Sequence, residues 1–162
     1  MTPNPADGCL PTNATITFPS GEVYKYNQNG VGIYYPVGSS SADNLKGALY
    51  ASINTWKLKI KSKTYTYNGG SNNIESIDEN GVLIYRFAYD GDMLLSVTNG
   101  AGAKISFNWD AINKVVTKVT APDLSIWTYD YDTFTLANTT TTIRRLIKVT
   151  PPGIGGVKTY HY

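Results

Sequence analysis

Apolar and polar residues alternate along much of the chain, which is the period of two that a half-buried β-strand produces. Three segments carry apolar side chains at every second position: Tyr85, Phe87 and Tyr89; Ile105, Phe107 and Trp109; and Trp127, Tyr129 and Tyr131. Side chains two residues apart lie on one face of a strand, so stacked strands would align these aromatics in ladders. The pattern predicts an all-β fold with the aromatic ladders as its core.

The same three segments end in an aromatic residue followed by aspartate, and these endings recur at a nearly fixed period. Tyr89 and Trp109 are 20 residues apart, and Trp109 and Tyr131 are 22 residues apart, a spacing typical of stacked supersecondary units. The earlier pair Tyr67-Asn68 fits the same register with Asn in place of Asp. Aspartate accepts hydrogen bonds from nearby backbone N–H groups. We therefore expect the three repeat aspartates to form turns: Asp90, Asp110 and Asp132.

A short apolar motif lies between these endings and occurs four times: Ile74-Glu75-Ser76-Ile77-Asp78, Leu94-Leu95-Ser96-Val97-Thr98, Val116-Thr117-Lys118-Val119-Thr120 and Leu146-Ile147-Lys148-Val149-Thr150. Turn-forming pairs such as Asn80-Gly81, Asn99-Gly100 and Pro122-Asp123 follow the copies. Each unit is therefore predicted to be a strand, a tight turn and a second strand that ends in the aromatic pair. Residues 133–145 interrupt the last unit with a threonine run, which we interpret as an extended hairpin or a strand extension.

The pattern divides the chain into a tail (residues 1–14), a lead-in β region (15–68) and about four repeat units (69–162), the last of them truncated. The lead-in contains two looser hairpins, and the glycine and serines of residues 38–41 predict a loop between them. Leu45, Leu49 and Ile53 have the spacing of one helix face. Residues 43–53 are therefore interpreted as a short helix, with a strand over residues 49–53 as the alternative.

Charge and cysteine content exclude several classes of protein. The formal net charge of +2 is too small to predict binding to nucleic acid or to an anionic membrane. Cys9 is the only cysteine, so an intrachain disulfide and a cysteine-based zinc site are both excluded. No segment has the pattern of a signal peptide or of a transmembrane span. The densest basic stretch alternates with apolar residues and predicts one solvated strand face, with a phosphate-binding stripe as the alternative: Lys57, Lys59, Lys61 and Lys63.

Few residues are candidates for catalysis or ligand binding. His161 is the only histidine, and no nucleophile and orienting acid are expected beside it. The aspartates recur with the repeat, which favours a structural role over a pair of catalytic carboxylates, and residues 78–81 lack the alternating ligands of a calcium loop. The sequence predicts no enzyme, no cofactor and no metal site. Three tryptophans are candidates for stacking on sugar rings, with packing as the alternative: Trp56, Trp109 and Trp127.

The repeat resembles that of the rearrangement hot spot (Rhs), or tyrosine-aspartate (YD) repeat, family. The best copy is Phe87-Ala88-Tyr89-Asp90, then Leu94-Leu95-Ser96-Val97-Thr98, then Gly102, then Phe107-Asn108-Trp109-Asp110. The resemblance covers most of residues 15–162, with Trp109 in place of the usual Tyr and Leu124 in place of the usual Gly. The signature positions in this chain are Tyr89, Asp90, Gly102, Trp109, Asp110, Tyr131, Asp132 and Tyr162. Because the pattern stops at Tyr162, one residue before the next aspartate, we expect a fragment of a longer array.

The resemblance implies a strand-turn-strand ribbon that spirals into a hollow β-shell. In such relatives the shell encloses a C-terminal toxic or variable domain, as in bacterial polymorphic toxins, or belongs to a cell-surface adhesion protein, as in the teneurins. We therefore expect a non-catalytic scaffold segment of a secreted or surface-delivered, toxin-related bacterial protein. Its partners would be the remainder of its own shell and an enclosed C-terminal domain. The alternative is an adhesion module that binds carbohydrate or a cell-surface protein.

Overall fold

The computed structural model describes residues 11–17, 20–30, 32–39, 47–52, 54–137, 139–153 and 155–162. In these residues the chain is all-β, and the predicted fold class is confirmed. Fourteen antiparallel strands follow one another in chain order as a single meander sheet, which is open and not closed into a barrel. The strands are β1 (Asn13–Thr17), β2 (Val23–Gln28), β3 (Ile33–Pro36), β4 (Ala48–Ser52), β5 (Thr55–Ile60), β6 (Lys63–Asn68), β7 (Ile74–Glu79), β8 (Val82–Asp90), β9 (Met93–Asn99), β10 (Lys104–Asp110), β11 (Val115–Thr120), β12 (Ile126–Thr135), β13 (Thr142–Thr150) and β14 (Lys158–Thr159).

The chain forms two compact units, Met1–Phe87 and Ala88–Tyr162. The first unit contains the lead-in strands and the first repeat hairpin, and the boundary lies within strand β8. The described part of the chain holds no helix with the length and hydropathy needed to cross a bilayer.

The buried core lies in the first unit. Tyr34, Leu49 and Leu58 are direct neighbours across strands β3, β4 and β5, and all three are fully buried. The ring of Trp56 packs against that of Tyr34 with 5.4 Å between ring centroids. The Tyr34 hydroxyl donates a hydrogen bond to the carbonyl oxygen of Pro11 at 2.6 Å, so the polar end of this buried aromatic is satisfied.

Residues 48–52 form strand β4, so the helix interpretation is wrong for them and the strand alternative is confirmed. Leu49 and Ala51 face the core beside Leu58 and Trp56, their cross-strand partners on β5. Leu49 and Ala51 are two residues apart, the spacing that places side chains on one face of a strand, and this outweighs the helical spacing of Leu45, Leu49 and Ile53. Residues 43–46 and 53 lie outside the described residues, as do residues 40 and 41 of the predicted loop.

The lysine stretch divides between a strand, a turn and the next strand. Lys57 and Lys59 are exposed on β5 because the alternate residues of that strand take the buried face. Lys61, with φ of +52°, lies in the turn after β5, and Lys63 begins β6. The prediction of a solvated face is confirmed for Lys57 and Lys59, but the prediction that all four lysines share one strand is wrong.

The predicted repeat hairpins are confirmed. Between β7 and β8, Glu79 pairs with Val82, and the two residues between them, Asn80 and Gly81, have φ values of +51° and +81°. Positive φ at both central positions is what a type I′ turn requires. The hairpin of β12 and β13 is longer, as predicted, because β12 continues to Thr135, which pairs with Thr142 at the start of β13.

The aromatic ladder of the second unit is not a buried core, which corrects the prediction. Every apolar side chain that is buried in the described part of the chain belongs to the first unit. In the second unit Ile105 and Trp127 are each 39% exposed. Alternation predicts correctly which side chains share a face, but it does not show whether anything packs on that face.

Candidate interaction surface

Three repeat aromatics of the second unit each donate a side-chain hydrogen bond to a backbone carbonyl. Trp109 donates from Nε1 to the carbonyl oxygen of Leu94 at 2.8 Å. The Tyr131 hydroxyl donates to Val116 at 2.9 Å, and the Tyr162 hydroxyl donates to Leu146 at 2.9 Å. The three acceptors are Leu94, Val116 and Leu146, and each is the first residue of the four-times repeated motif. Indole N–H and phenol O–H therefore make the same contact, which accounts for tryptophan at a tyrosine position.

The same repeat position carries a β-bulge, in which two residues of one strand oppose one residue of its partner. Thr117 has no partner in the pairing of β10 with β11, because Asn108 pairs with Lys118 and Trp109 pairs with Val116. Ile147 is passed over where Tyr131 pairs with Leu146. In the first unit, Glu75 is passed over in the pairing of β6 with β7. Each bulged residue is the second residue of the motif. The motif therefore marks a β-bulge that recurs from repeat to repeat in this chain.

The turn after the aromatic strand is closed by the residue at the repeat aspartate position. Asp110 accepts hydrogen bonds through Oδ1 from the backbone N–H groups of Ile112 and Asn113 at 3.0 and 3.1 Å. The amide of Asn113 also donates to Asp110, and these hydrogen bonds hold the pKa of the Asp110 carboxyl below its usual value. Asn68 makes the equivalent turn by accepting from Gly70 and Ser71. The turn-forming prediction is confirmed for Asp110.

Asp132 has a different role, and the turn-forming prediction is wrong for it. Because β12 continues through this position, Asp132 lies within a strand and receives two hydrogen bonds from Arg145, Nε to Oδ1 at 2.8 Å and Nη2 to Oδ2 at 2.9 Å. These bonds from Arg145 lower the pKa of the Asp132 carboxyl. The guanidinium of Arg145 lies over the rings of Phe134 and Tyr162, at 5.0 and 5.2 Å from their centroids.

The remaining signature positions lie at strand ends and turns. Tyr89 is half-buried on β8, and burial raises the pKa of its hydroxyl. Asp90 ends β8 and is exposed. Gly102 has φ of +88° in the turn after β9, and Leu124 occupies the corresponding position of the turn after β11 with φ of +67°. The left-handed conformation that glycine adopts freely is thus imposed on a leucine.

One face of the second unit is apolar, and this apolar face is the broadest candidate for an interaction surface. Cross-strand pairing and alternation place seven side chains on it: Val97, Ile105, Phe107, Val119, Trp127, Tyr129 and Val149. The opposite face is mostly polar, as in the row Ser96, Ser106 and Thr120. Ile105 and Trp127 on this face are exposed and the other five side chains are half-buried, and a contiguous apolar surface of this kind is typical of a site of association.

The three tryptophans occupy different environments. Trp56 is 2% exposed in the core of the first unit, so it cannot stack on a sugar in this fold and that candidacy is wrong. Trp109 is half-buried, with its Nε1 already bonded to the chain. Trp127 keeps an exposed flank on the apolar face and is the tryptophan that remains open to a ligand.

No group of residues in the described ranges has the composition of a metal site. Three or more His, Asp or Glu side chains come together nowhere among the described residues in a way that could hold a metal ion. His161 is exposed after β14, and Asp110 and Asp132 are occupied by turn and ion-pair contacts. Cys9 lies outside the described residues.

A shallow depression in the first unit has no counterpart in the sequence predictions. It has a volume of about 220 Å³ and lies against the β4–β5 hairpin, lined by Tyr50, Ala51, Ser52, Thr55 and Lys57. The alternation of β4 and β5 was a usable signal for it, because the residues between the buried ones must point away from the core.

Comparison with known proteins identified no family model and no curated sequence that matches the chain at a significant level. Membership of the Rhs/YD-repeat family therefore stays a prediction from the repeat pattern.

Proposed function

We propose that the chain is a non-catalytic scaffold segment of a YD-repeat shell in a secreted or surface-delivered, toxin-related bacterial protein. The observation that carries the proposal is a recurring hydrogen bond from a repeat aromatic to the first residue of the motif, made by Trp109, Tyr131 and Tyr162. A contact repeated in register uses the signature residues to hold strand to strand. A catalytic residue would instead occur once, in a concave site.

The partners in this proposal are the remainder of the repeat shell and an enclosed C-terminal domain. The apolar face of the second unit supports the second of these, since side chains such as Ile105 and Trp127 gain stability by packing against apolar polypeptide. No nucleic acid is proposed, because the net charge of +2 supplies no concentrated basic surface.

The scaffold role is tested by duplicating one unit in register. A second copy of residues 90–109, inserted directly after Trp109, should extend the sheet by one further unit. In a repeat array the added unit exposes more surface on unfolding, so the urea m-value should rise while the transition stays cooperative. Loss of the cooperative transition in the duplicated chain would show that residues 90–109 are not an interchangeable structural unit.

The second candidate function is an adhesion module for carbohydrate or a cell-surface protein, and the exposed flank of Trp127 favours it. A glycan array probed with the intact chain tests this candidate. Binding that is lost in Trp127→Ala and kept in Ile126→Ala would support it, because Ile126 is the next residue and lies on the opposite face of β12. Equal binding by the two variants would reject Trp127 as the ligand contact.

A further inference from the structure

The depression on the β4–β5 hairpin lies above the best-packed part of the molecule. Leu49 and Leu58 are fully buried beneath it and Trp56 is nearly so, while Tyr50 and Lys57 point to the opposite, outer face as direct cross-strand partners. Side chains built on strands fixed by a packed core need little reordering to bind a ligand. The site is therefore held in place before any ligand arrives.

Four side chains of complementary chemistry share this outer face. Tyr50 is 39% exposed and lies opposite Lys57, and Ser52, two residues along β4, lies opposite Thr55. The Ser52 hydroxyl makes only a long hydrogen bond of 3.4 Å to the carbonyl oxygen of Thr55, which a better acceptor can replace. An aromatic ring, an ammonium group and two hydroxyls thus surround one small depression.

The row of strand positions that contains Lys57 is positively charged. Carboxylates stand in the flanking rows, where Glu75 accepts a hydrogen bond from Asn68 and Asp78 lies opposite Thr64. The row of cross-strand neighbours through Lys57 contains a second cation and no carboxylate: Ile33, Tyr50, Lys57, Thr66, Ser76 and Arg86. Within the described residues Lys57 forms no ion pair, since the two that occur join Arg145 to Asp132 and Lys148 to Asp130. An unneutralised ammonium at the rim favours a ligand that carries a carboxylate.

We infer that this depression binds a single acidic sugar, a pyranose of the uronic acid type. Tyr50 stacks on the apolar face of the sugar ring, Lys57 pairs with its carboxylate, and Ser52 and Thr55 exchange hydrogen bonds with its hydroxyls. Size supports one ring, because about 220 Å³ is smaller than the roughly 300–1,000 Å³ of sites for larger ligands. This site is independent of the scaffold role, which rests on the repeat contacts of the second unit.

The test is a titration of the intact chain with sodium glucuronate, followed by backbone amide chemical shifts. We expect saturable shifts confined to residues 50–57, with glucose binding at least about tenfold more weakly because it lacks the carboxylate. Lys57→Gln should reduce glucuronate binding to the level of glucose, and Tyr50→Ala should abolish binding of both. The matched control is Lys59→Gln, which removes the neighbouring cation on the same face and should leave binding unchanged.

Three outcomes would overturn the inference. One is the absence of saturable shifts at residues 50–57 with glucuronate. Another is an equal loss of binding in Lys59→Gln and Lys57→Gln, which would indicate general attraction to surface charge. The third is acetate binding as tightly as glucuronate, which would reduce the site to a small-anion contact. Each would leave the scaffold proposal intact if the chain and its variants unfold with the same cooperative transition.

Discussion

Trp109 donates a hydrogen bond from its indole Nε1 to the backbone carbonyl of Leu94, 15 residues earlier in the chain. Tyr131 and Val116 are also 15 residues apart and make the same bond. Tyr162 and Leu146 make the bond across 16 residues, so the distance from motif to aromatic varies by one residue among the three. The variation between periods of 20 and 22 residues arises in the turn after the aspartate, which is two residues longer at Asp110 than at Asp90.

Removing one of these hydrogen bonds should lower the free energy of unfolding by the net contribution of a single hydrogen bond. Tyr131→Phe deletes the hydroxyl that bonds to Val116, and we expect the free energy of unfolding to fall by about 0.5–1.5 kcal/mol. Urea denaturation measures this change. Tyr129→Phe is the matched control, because Tyr129 lies two residues away on the same face and its hydroxyl bonds to none of the described residues. Equal losses in the two variants would contradict a specific role for the Tyr131 hydroxyl.

Leu124 is held in a conformation that suits glycine, so glycine should stabilise this turn. Leu124 has φ of +67° and a side chain that is 79% exposed, so little packing is lost on its removal. Leu124→Gly should raise the free energy of unfolding by about 0.5–1 kcal/mol, the relief of left-handed strain less the entropy of glycine. Thermal unfolding would show a higher midpoint.

The reverse substitution at the equivalent turn supplies the comparison. A Cβ on Gly102 would meet no atom within 4 Å, so Gly102→Ala adds strain at φ of +88° without a clash. We expect a loss of about 1 kcal/mol. A stabilised Gly102→Ala, or a destabilised Leu124→Gly, would contradict the assignment of both residues to one turn position.

The ion pair between Asp132 and Arg145 should be visible in the titration of the carboxyl. Arg145 lowers the pKa of Asp132, so the pair contributes stability above the usual aspartate pKa of about 3.9, and this contribution is lost as pH falls through the lowered value. A carboxyl ¹³C titration of Arg145→Ala should show the Asp132 midpoint moving up toward the usual range. The midpoint of Asp110 should not move, because its hydrogen bonds come from Asn113 and Ile112. If the titration midpoint of Asp132 is the same in Arg145→Ala as in the parent chain, the two residues do not form an ion pair in solution.

Trp56 and Trp127 differ most in exposure, and the buried one should cost more free energy of unfolding when it is replaced by alanine. Trp56→Ala empties part of a buried core and should cost roughly 3–5 kcal/mol, whereas Trp127→Ala, at a half-open site, should cost about 1–2 kcal/mol. Urea denaturation of both variants checks the order. A larger loss at Trp127 would mean that the apolar face of the second unit is covered in solution.

Much of this fold follows from the sequence. Alternation places Ile105, Phe107 and Trp109 on one face, and the turn residues place the hairpins. These are local properties, since the period of two and the conformations of Asn-Gly pairs depend on a few neighbouring residues.

What the sequence did not predict depends on partners distant in the chain. Trp56 and Trp127 both lie in alternating strands, and only the packing of Trp56 against Tyr34 separates the buried residue from the exposed one. Asp132 differs from Asp110 because Arg145 lies opposite it. The bulges at Thr117 and Ile147 had one usable signal, because both lie at the second residue of the repeated motif.

The central claim is that the signature residues define an interchangeable structural unit, and deletion tests it most directly. Removing residues 90–109 joins Tyr89 to Asp110 and preserves the register of every remaining unit. Removing only residues 100–109 takes away half a unit, so that Leu94 loses its aromatic donor and β9 meets β11.

The measurement is urea unfolding of both deletion variants, followed by circular dichroism. We expect a single cooperative transition from a β-rich state for the whole-unit deletion, and a half-unit deletion that is much less stable or shows no transition. Failure of the whole-unit deletion to fold, or equal stability of the two variants, would contradict this expectation.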